Sequence, residues 1–217
     1  MASFSRPIAT TSGSQAPVIY VVDDDPAFRT AIGDLLRACD YRVELRDSAT
    51  DLLENPPGDA PACILLDVQM AGCSGPQLQD RLAALGSTPP IIFLTGHGDI
   101  PTSVQAMRLG AEDFLTKLAP KEALLEAVDR ALARDARERA ERARGEGARA
   151  RFATLTDRER EVLEHVLRGQ LNKQIAWDLG IHERTVKLHR TAITNKVGVQ
   201  SVAELTQLWM EAFPKGQ

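Results

Sequence analysis

The sequence predicts two dissimilar folded regions. One is an α/β domain on a five-stranded, doubly wound parallel sheet over residues 18–128. The other, beyond a charged helical linker at 129–151, is an all-α domain of four helices at 152–217. Three observations lead there. Short apolar runs alternate with amphipathic segments from Val18 to about Ala127, the pattern of a parallel sheet wrapped by helices. No large apolar residue lies between Leu132 and Phe152, a stretch dense in Ala, Arg and Glu. From Leu155 onward the signals are helical only. A length of 217 residues with 43% hydrophobic content suits two small cores. Charge divides in the same way: −8 for residues 1–128, +3 for 129–151 and +1 for 152–217.

In chain order, the strand candidates are VIYVV, YRVEL, CILL, IIFL and DFL. Between them the pattern predicts helices at 26–39, 48–54, 75–85, 100–109 and from 120 onward, with NPPGDAP and GSTPP as breakers. In the linker, Arg134 with Glu138, Asp135 with Arg139 and Glu138 with Arg142 stand four apart and support a solvated helix. Gly145 and Gly147 are expected to end it and supply a hinge. Thr156 with Glu159, and Ser201 with Glu204, read as capping boxes. With Gly169 and Gly180 as breakers, they set helices near 157–168, 172–179, 183–197 and 201–213.

Cys39, Cys63 and Cys73 share no CxxC spacing, and their odd number argues against a disulfide framework, which fits a reducing, cytoplasmic setting. No stretch approaches the ~18 apolar residues of a membrane span, so no membrane partner is expected. Residues 1–17 read as a disordered tail.

Ligands of a doubly wound sheet bind beyond the carboxyl ends of its strands. Asp23, Asp24 and Asp25 follow the first strand, Asp67 the third, Thr95 the fourth and Lys117 the fifth, so all converge on one rim. Two carboxylates ~4 Å apart repel by roughly 4 kcal/mol at an effective dielectric near 20. Alone, the Asp triplet could simply cap the helix that begins at Pro26. Joined by Asp67, Thr95 and Lys117, it reads as a site for a hard cation. Mg²⁺ offsets the repulsion by taking oxygen ligands at about 2.1 Å.

VVDDDP, ILLDVQM, FLTGHGD and DFLTK, in this order and spacing, resemble the CheY-like receiver domain of two-component response regulators, over residues 18 to about 128. The resemblance implies that Asp67 accepts a phosphoryl group from a histidine kinase. It also implies that Asp23, Asp24, Asp67 and the backbone carbonyl of Gln69 hold Mg²⁺, with Asp25 outside the metal set. Lys117 would then neutralise developing charge, Thr95 would donate its hydroxyl to a phosphoryl oxygen, and Phe114 would change rotamer as Thr95 shifts inward.

Two positions depart from the family pattern. Leu118 follows the lysine where the family usually has proline in a cis bond, and a non-proline cis bond costs about 2.5 to 4 kcal/mol. Lys117 is therefore expected to be less well placed. Ala71 stands where proline is common, which should loosen the loop after Asp67. His97 lies where the family tunes water access, and Cys73 lies close to Asp67.

In the rear region, NKQIAWDLGIHERTVKLHRTAITNKVG reads as helix, four-residue turn, helix, with Gly180 permitting the turn. Val186, Ile193 and Val197 share one face of the second helix, the core face. Arg184, Lys187, Leu188, Thr191 and Asn195 occupy the other. Residues 182–197 sum to +3, the cationic and hydrogen-bonding surface that major-groove entry needs. Trp177 reads as core, and His189 as a packing residue. Residues 152–213 resemble the LuxR-type helix-turn-helix of NarL/FixJ regulators. That likeness implies that Lys187, Leu188 and Thr191 approach bases, while Asn172, Lys173, Thr185 and Arg190 meet phosphates. It also implies that the last helix, with Val202, Leu205, Leu208 and Trp209, pairs two copies on DNA.

The whole reads as a response regulator and transcription factor rather than an enzyme. Its expected partners are a histidine kinase, promoter DNA, a second copy on activation and RNA polymerase. A regulator that binds DNA independently of phosphate, with its receiver serving only to dimerise, is the alternative that Leu118 and Ala71 motivate.

Overall fold

The computed structural model describes residues 16–70, 75–84, 89–96, 104 and 106–214. The expectations for residues 1–15, Ala71, Cys73 and His97, and for most of the helix at 100–109, lie outside these. The chain forms two compact units that divide after Arg139.

In the first unit, β1 (Val18–Val22), β2 (Arg42–Arg46), β3 (Ala62–Asp67), β4 (Ile91–Thr95) and β5 (Asp113–Thr116) form one parallel sheet in the order β2-β1-β3-β4-β5. Strands β1, β3 and β4 are buried at every residue. Both faces of the sheet are covered, and that is why these strands read as unbroken apolar runs. Tyr20, Ile64 and Phe93 face one core, while Val21, Leu65 and Ile92 face the other.

Between the strands, the described residues form helices α1 (Pro26–Arg37), α2 (Ala49–Glu54) and α3 (Gly75–Ala84). Asp25 caps α1, its carboxylate accepting from the amides of Ala27 at 2.9 Å and Phe28 at 3.4 Å. One member of the triplet thus does serve as a helix cap.

Helix α4 (Lys121–Ala153) runs unbroken for 33 residues, about 50 Å at 1.5 Å per residue. The hinge expected at Gly145 and Gly147 is absent. Each glycine weakens the helix by about 1 kcal/mol relative to alanine, yet Gly145 is buried where a Cβ would stand 3.1 Å from the Glu211 carbonyl oxygen. The small residue admits a neighbouring backbone, so packing, and not helix termination, explains it. The beginning of α4 belongs to the first core through Leu124, Ala127, Val128 and Ala131. Asp135 is fully buried, and its carboxylate accepts from the Ala62 amide at 2.8 Å and from Arg139 Nε at 2.6 Å, which ties α4 to the start of β3. The expected pair Arg134 and Glu138 forms at 2.7 Å.

The second unit holds α5 (Asp157–Leu167), α6 (Asn172–Leu179), α7 (Glu183–Val197) and α8 (Val202–Ala212) around Phe152, Leu163, Ile175, Val186, Ile193 and Leu205. The Thr156 capping box is complete: Glu159 N donates to Thr156 Oγ1 at 3.3 Å and Thr156 N to Glu159 Oε2 at 2.8 Å. The second box is only half formed. Ser201 Oγ caps Glu204 N at 3.1 Å, but the Glu204 carboxylate accepts from Gln200 N, one residue earlier than the pattern expects. Gly180 closes α6 at φ 64°, the left-handed conformation its turn requires.

Candidate functional site

Register builds the acidic pocket. Val22 pairs with Leu66, so the next residues, Asp23 and Asp67, stand level at the carboxyl ends of adjacent strands. Those strands, β1 and β3, flank the point where the strand order reverses, the expected ligand crevice of such a sheet. Asp23, Asp24 and Asp67 each offer a carboxylate oxygen, and the three atoms lie within 4.8 Å of one another. Asp23 is 1% and Asp67 5% exposed, whereas Asp24 faces solvent.

Lys117 Nζ lies 2.7 Å from Asp23 Oδ2 and 3.0 Å from Asp67 Oδ2. The described chain has no cis peptide bond, so the amine reaches both carboxylates without one, and the poor placement expected from Leu118 does not occur. The Lys117 amide donates to the Thr95 carbonyl at 2.7 Å, and the Ala119 amide closes a turn onto the Thr116 carbonyl at 2.9 Å. Its ammonium stands 4.6 Å from the centre of the Phe28 ring.

These contacts govern ionisation. Burial pushes the Asp23 carboxyl up and the Asp67 charge adds to this, outweighing the Lys117 and Asp25 hydrogen bonds. For Lys117, burial pulls the ammonium down, but hydrogen bonds and charges from Asp23 and Asp67 outweigh it and raise the pKa. Lys117 therefore stays cationic. Arg29 clamps the near side by donating to the Asp23 carbonyl.

The other expected residues surround this pocket. Thr95 ends β4, is buried, and pairs in register with Thr116. Phe114 is half-buried, its ring 6.2 Å from that of Phe93. Gln69 is exposed and donates its amide to Asp67 Oδ1 at 3.3 Å. Nothing in the sequence pattern singles out Gly75: a Cβ there would lie 2.6 Å from Phe93 Cε1 and 2.9 Å from the Asp67 carbonyl oxygen. Only a glycine lets α3 begin so close to the pocket floor.

In the second unit, α7 buries Val186, Ile193 and Val197 and exposes Arg184, Lys187, Leu188, Thr191 and Asn195, as the wheel predicts. Thr185 is half-buried and Lys173 exposed. Asn172 and Arg190 meet each other, Arg190 Nη1 donating to Asn172 Oδ1 at 2.8 Å. Lys196 turns away to Glu159 at 2.7 Å, leaving the cationic surface to the first part of the helix. Trp177 is not core: it is 87% exposed, on the outward side of α6. His189 is half-buried.

Residues 19–129 match the family profile described as response regulator receiver domain, and residues 153–209 match that of bacterial regulatory proteins of the luxR family. The chain belongs to the response regulators. This response regulator is 42% identical over 194 residues to the response regulator protein TodT of Pseudomonas putida, covering 89% of this chain and 86% of TodT. It is 38% identical to the transcriptional regulatory protein FixJ of Bradyrhizobium diazoefficiens, over 89% of this chain and 95% of FixJ. The solved structure of response regulator StyR superposes with a TM-score of 0.80 at 42% identity, covering 91% of this chain and all of StyR. The response regulator thus carries a receiver of the CheY-like fold and a LuxR-type DNA-binding domain, the NarL/FixJ arrangement, and its relatives are regulators of transcription. Among its described residues no helix is long and apolar enough to cross a membrane.

Proposed function

We propose that this response regulator accepts a phosphoryl group on Asp67 from a histidine kinase, and that the modified receiver promotes dimerisation and promoter binding through α7. The observation that carries this reading is the pocket in which Asp67 shares one cation, Lys117, with Asp23 beside a third carboxylate, Asp24. One Asp67 oxygen attacks phosphorus while the phosphorus–nitrogen bond of the donor phosphohistidine breaks. The imidazole nitrogen leaves with the bonding pair and takes up a proton, and Asp67 becomes an acyl phosphate. Lys117 accompanies the negative charge as it spreads over the phosphoryl oxygens.

The donor set is all oxygen and fits a hard divalent cation. Asp23, Asp24, Asp67 and the Gln69 carbonyl would hold Mg²⁺, which when bound neutralises phosphoryl oxygens. Thr95 donates its hydroxyl to the new group, and its inward movement leaves space for Phe114. Val104 and Met107, 45% and 48% exposed, lie on the neighbouring receiver surface and suit pairing between activated copies, as do the exposed residues of α8. On DNA, Lys187, Leu188 and Thr191 face base edges, with Arg184 beside them. Asn172, Lys173, Thr185 and Arg190 meet phosphates.

Oligomeric state by sedimentation and DNA affinity by fluorescence anisotropy, each measured with and without beryllofluoride and Mg²⁺, test the reading. The wild type is expected to dimerise and bind more tightly on loading, and Asp67→Asn to respond to neither. DNA binding that is identical in all states favours the phosphate-independent regulator instead.

A further inference from the structure

We infer that Phe28 is a positioning residue for phosphoryl transfer: its ring face holds the Lys117 ammonium over the acceptor carboxylate. The inference rests on the phosphoacceptor reading of Asp67.

Lys117 follows the edge strand β5, and its side chain must cross toward β1 and β3 to reach Asp23 and Asp67. Backbone bonds fix its start, through the Thr95 carbonyl and the Thr116 to Ala119 turn. The next side chain contributes nothing, since Leu118 is 91% exposed. What faces the far end of the lysine is Phe28, 4.6 Å from Nζ to ring centre, well inside the ~6 Å reach of a cation over an aromatic face. Both carboxylate contacts lie on the same ammonium, so the ring and the two anions together hold it in place.

Phe28 is itself fixed. It occupies the first turn of α1, where its amide is capped by Asp25, and its ring packs against the apolar cluster beneath the sheet. Phe28, Ile32, Leu94, Leu115 and Lys117 also line a cavity of about 190 Å³. The stem of Lys117 therefore runs beside open space rather than through a packed channel, and the ring contact restrains what packing leaves loose. A desolvated cation over an aromatic ring is worth more than an exposed one, and the Lys117 side chain is only 18% exposed.

The test follows transfer from acetyl phosphate to the full-length chain with Mg²⁺. The Asp67 oxygen bonds to phosphorus, the bond from phosphorus to the acetate oxygen breaks, and acetate leaves with the electron pair. Phe28→Leu keeps an apolar side chain at this position and removes the ring face. It is expected to lower the maximum rate about 5- to 10-fold, with half-saturating acetyl phosphate, calorimetric Mg²⁺ affinity and melting temperature close to wild type. Phe28→Tyr, which keeps the face, is expected to restore the rate. In a Lys117→Ala chain, Phe28→Leu is expected to add no further loss, because its effect passes through the lysine. A Phe28→Leu chain as fast as wild type, a Phe28→Tyr chain as slow as Phe28→Leu, or an undiminished loss without Lys117 overturns the proposal. A wild-type chain that takes up no phosphoryl group overturns the phosphoacceptor reading and this proposal with it; a phosphorylated wild type beside an equally fast Phe28→Leu chain overturns this proposal alone.

Discussion

Gly75 shows how one absent side chain shapes the pocket. With the Phe93 ring on one side and the Asp67 carbonyl on the other, a methyl group at this position has no room. Gly75→Ala is expected to destabilise the receiver by about 1–3 kcal/mol, as overpacked cores do, and to weaken Mg²⁺ binding by displacing the backbone of Asp67. Urea unfolding measures the first and calorimetric Mg²⁺ titration the second. A variant that loses stability but binds Mg²⁺ as well as wild type would show that Asp67 is insulated from its neighbour. Reading the sequence alone, Asp23, Asp24, Asp67 and Lys117 are legible because each directly follows or ends an apolar run. Gly75, Arg29 and Phe28 are not, because their importance arises only where a helix meets a strand from elsewhere in the chain.

Among the elements, α5 and α7 are coupled through one carboxylate. Glu159 belongs to the capping box of α5 and receives Lys196 from the end of α7. The Lys196 hydrogen bond, helped by the Thr156 amide, holds its carboxyl below the usual glutamate range. A lowered folded pKa means that the stabilisation is complete above the unfolded value, ~4.3, and is lost as pH falls through the folded value. Glu159→Gln should therefore cost about 1–2 kcal/mol at neutral pH, and the gap from wild type should hold down to pH ~4.3 and narrow as pH falls below that through the lowered folded value. Calorimetric melts across that range check it; a gap independent of pH would assign the effect to packing. Elements such as β1 and β3 were legible because burial on both faces writes itself as a continuous apolar run. The unbroken course of α4 was not, since Gly145 reads as a breaker until the Glu211 carbonyl is seen beside it. Trp177 misleads for the converse reason: an aromatic residue in a short helix suggests a core, and Ile175, two residues earlier, already fills it.

At the scale of the whole molecule, charge sets what kind of DNA reader this is. The chain carries a net charge of −4, and its DNA-binding half is nearly neutral, so non-specific attraction to DNA is expected to be modest and, on the proposed reading, selectivity falls to α7. Lys187→Ala is expected to weaken binding to a selected operator by about 1–3 kcal/mol while barely changing binding to a scrambled duplex. Lys173→Ala should weaken both alike and reduce the salt dependence by about 0.9 of a counterion. Anisotropy titrations over a series of salt concentrations separate the two, and a Lys187 variant that weakens both duplexes equally would move that residue from bases to backbone.

The two indoles of this chain, Trp177 and Trp209, both sit in the DNA-binding unit, one almost wholly in water and the other edge-on to Phe152 at 5.1 Å. Native emission is therefore a label supplied by the chain itself, one ring in water and the other beside an aromatic neighbour. Any change in that spectrum when the acidic pocket is loaded would be a message received in the other half of the molecule.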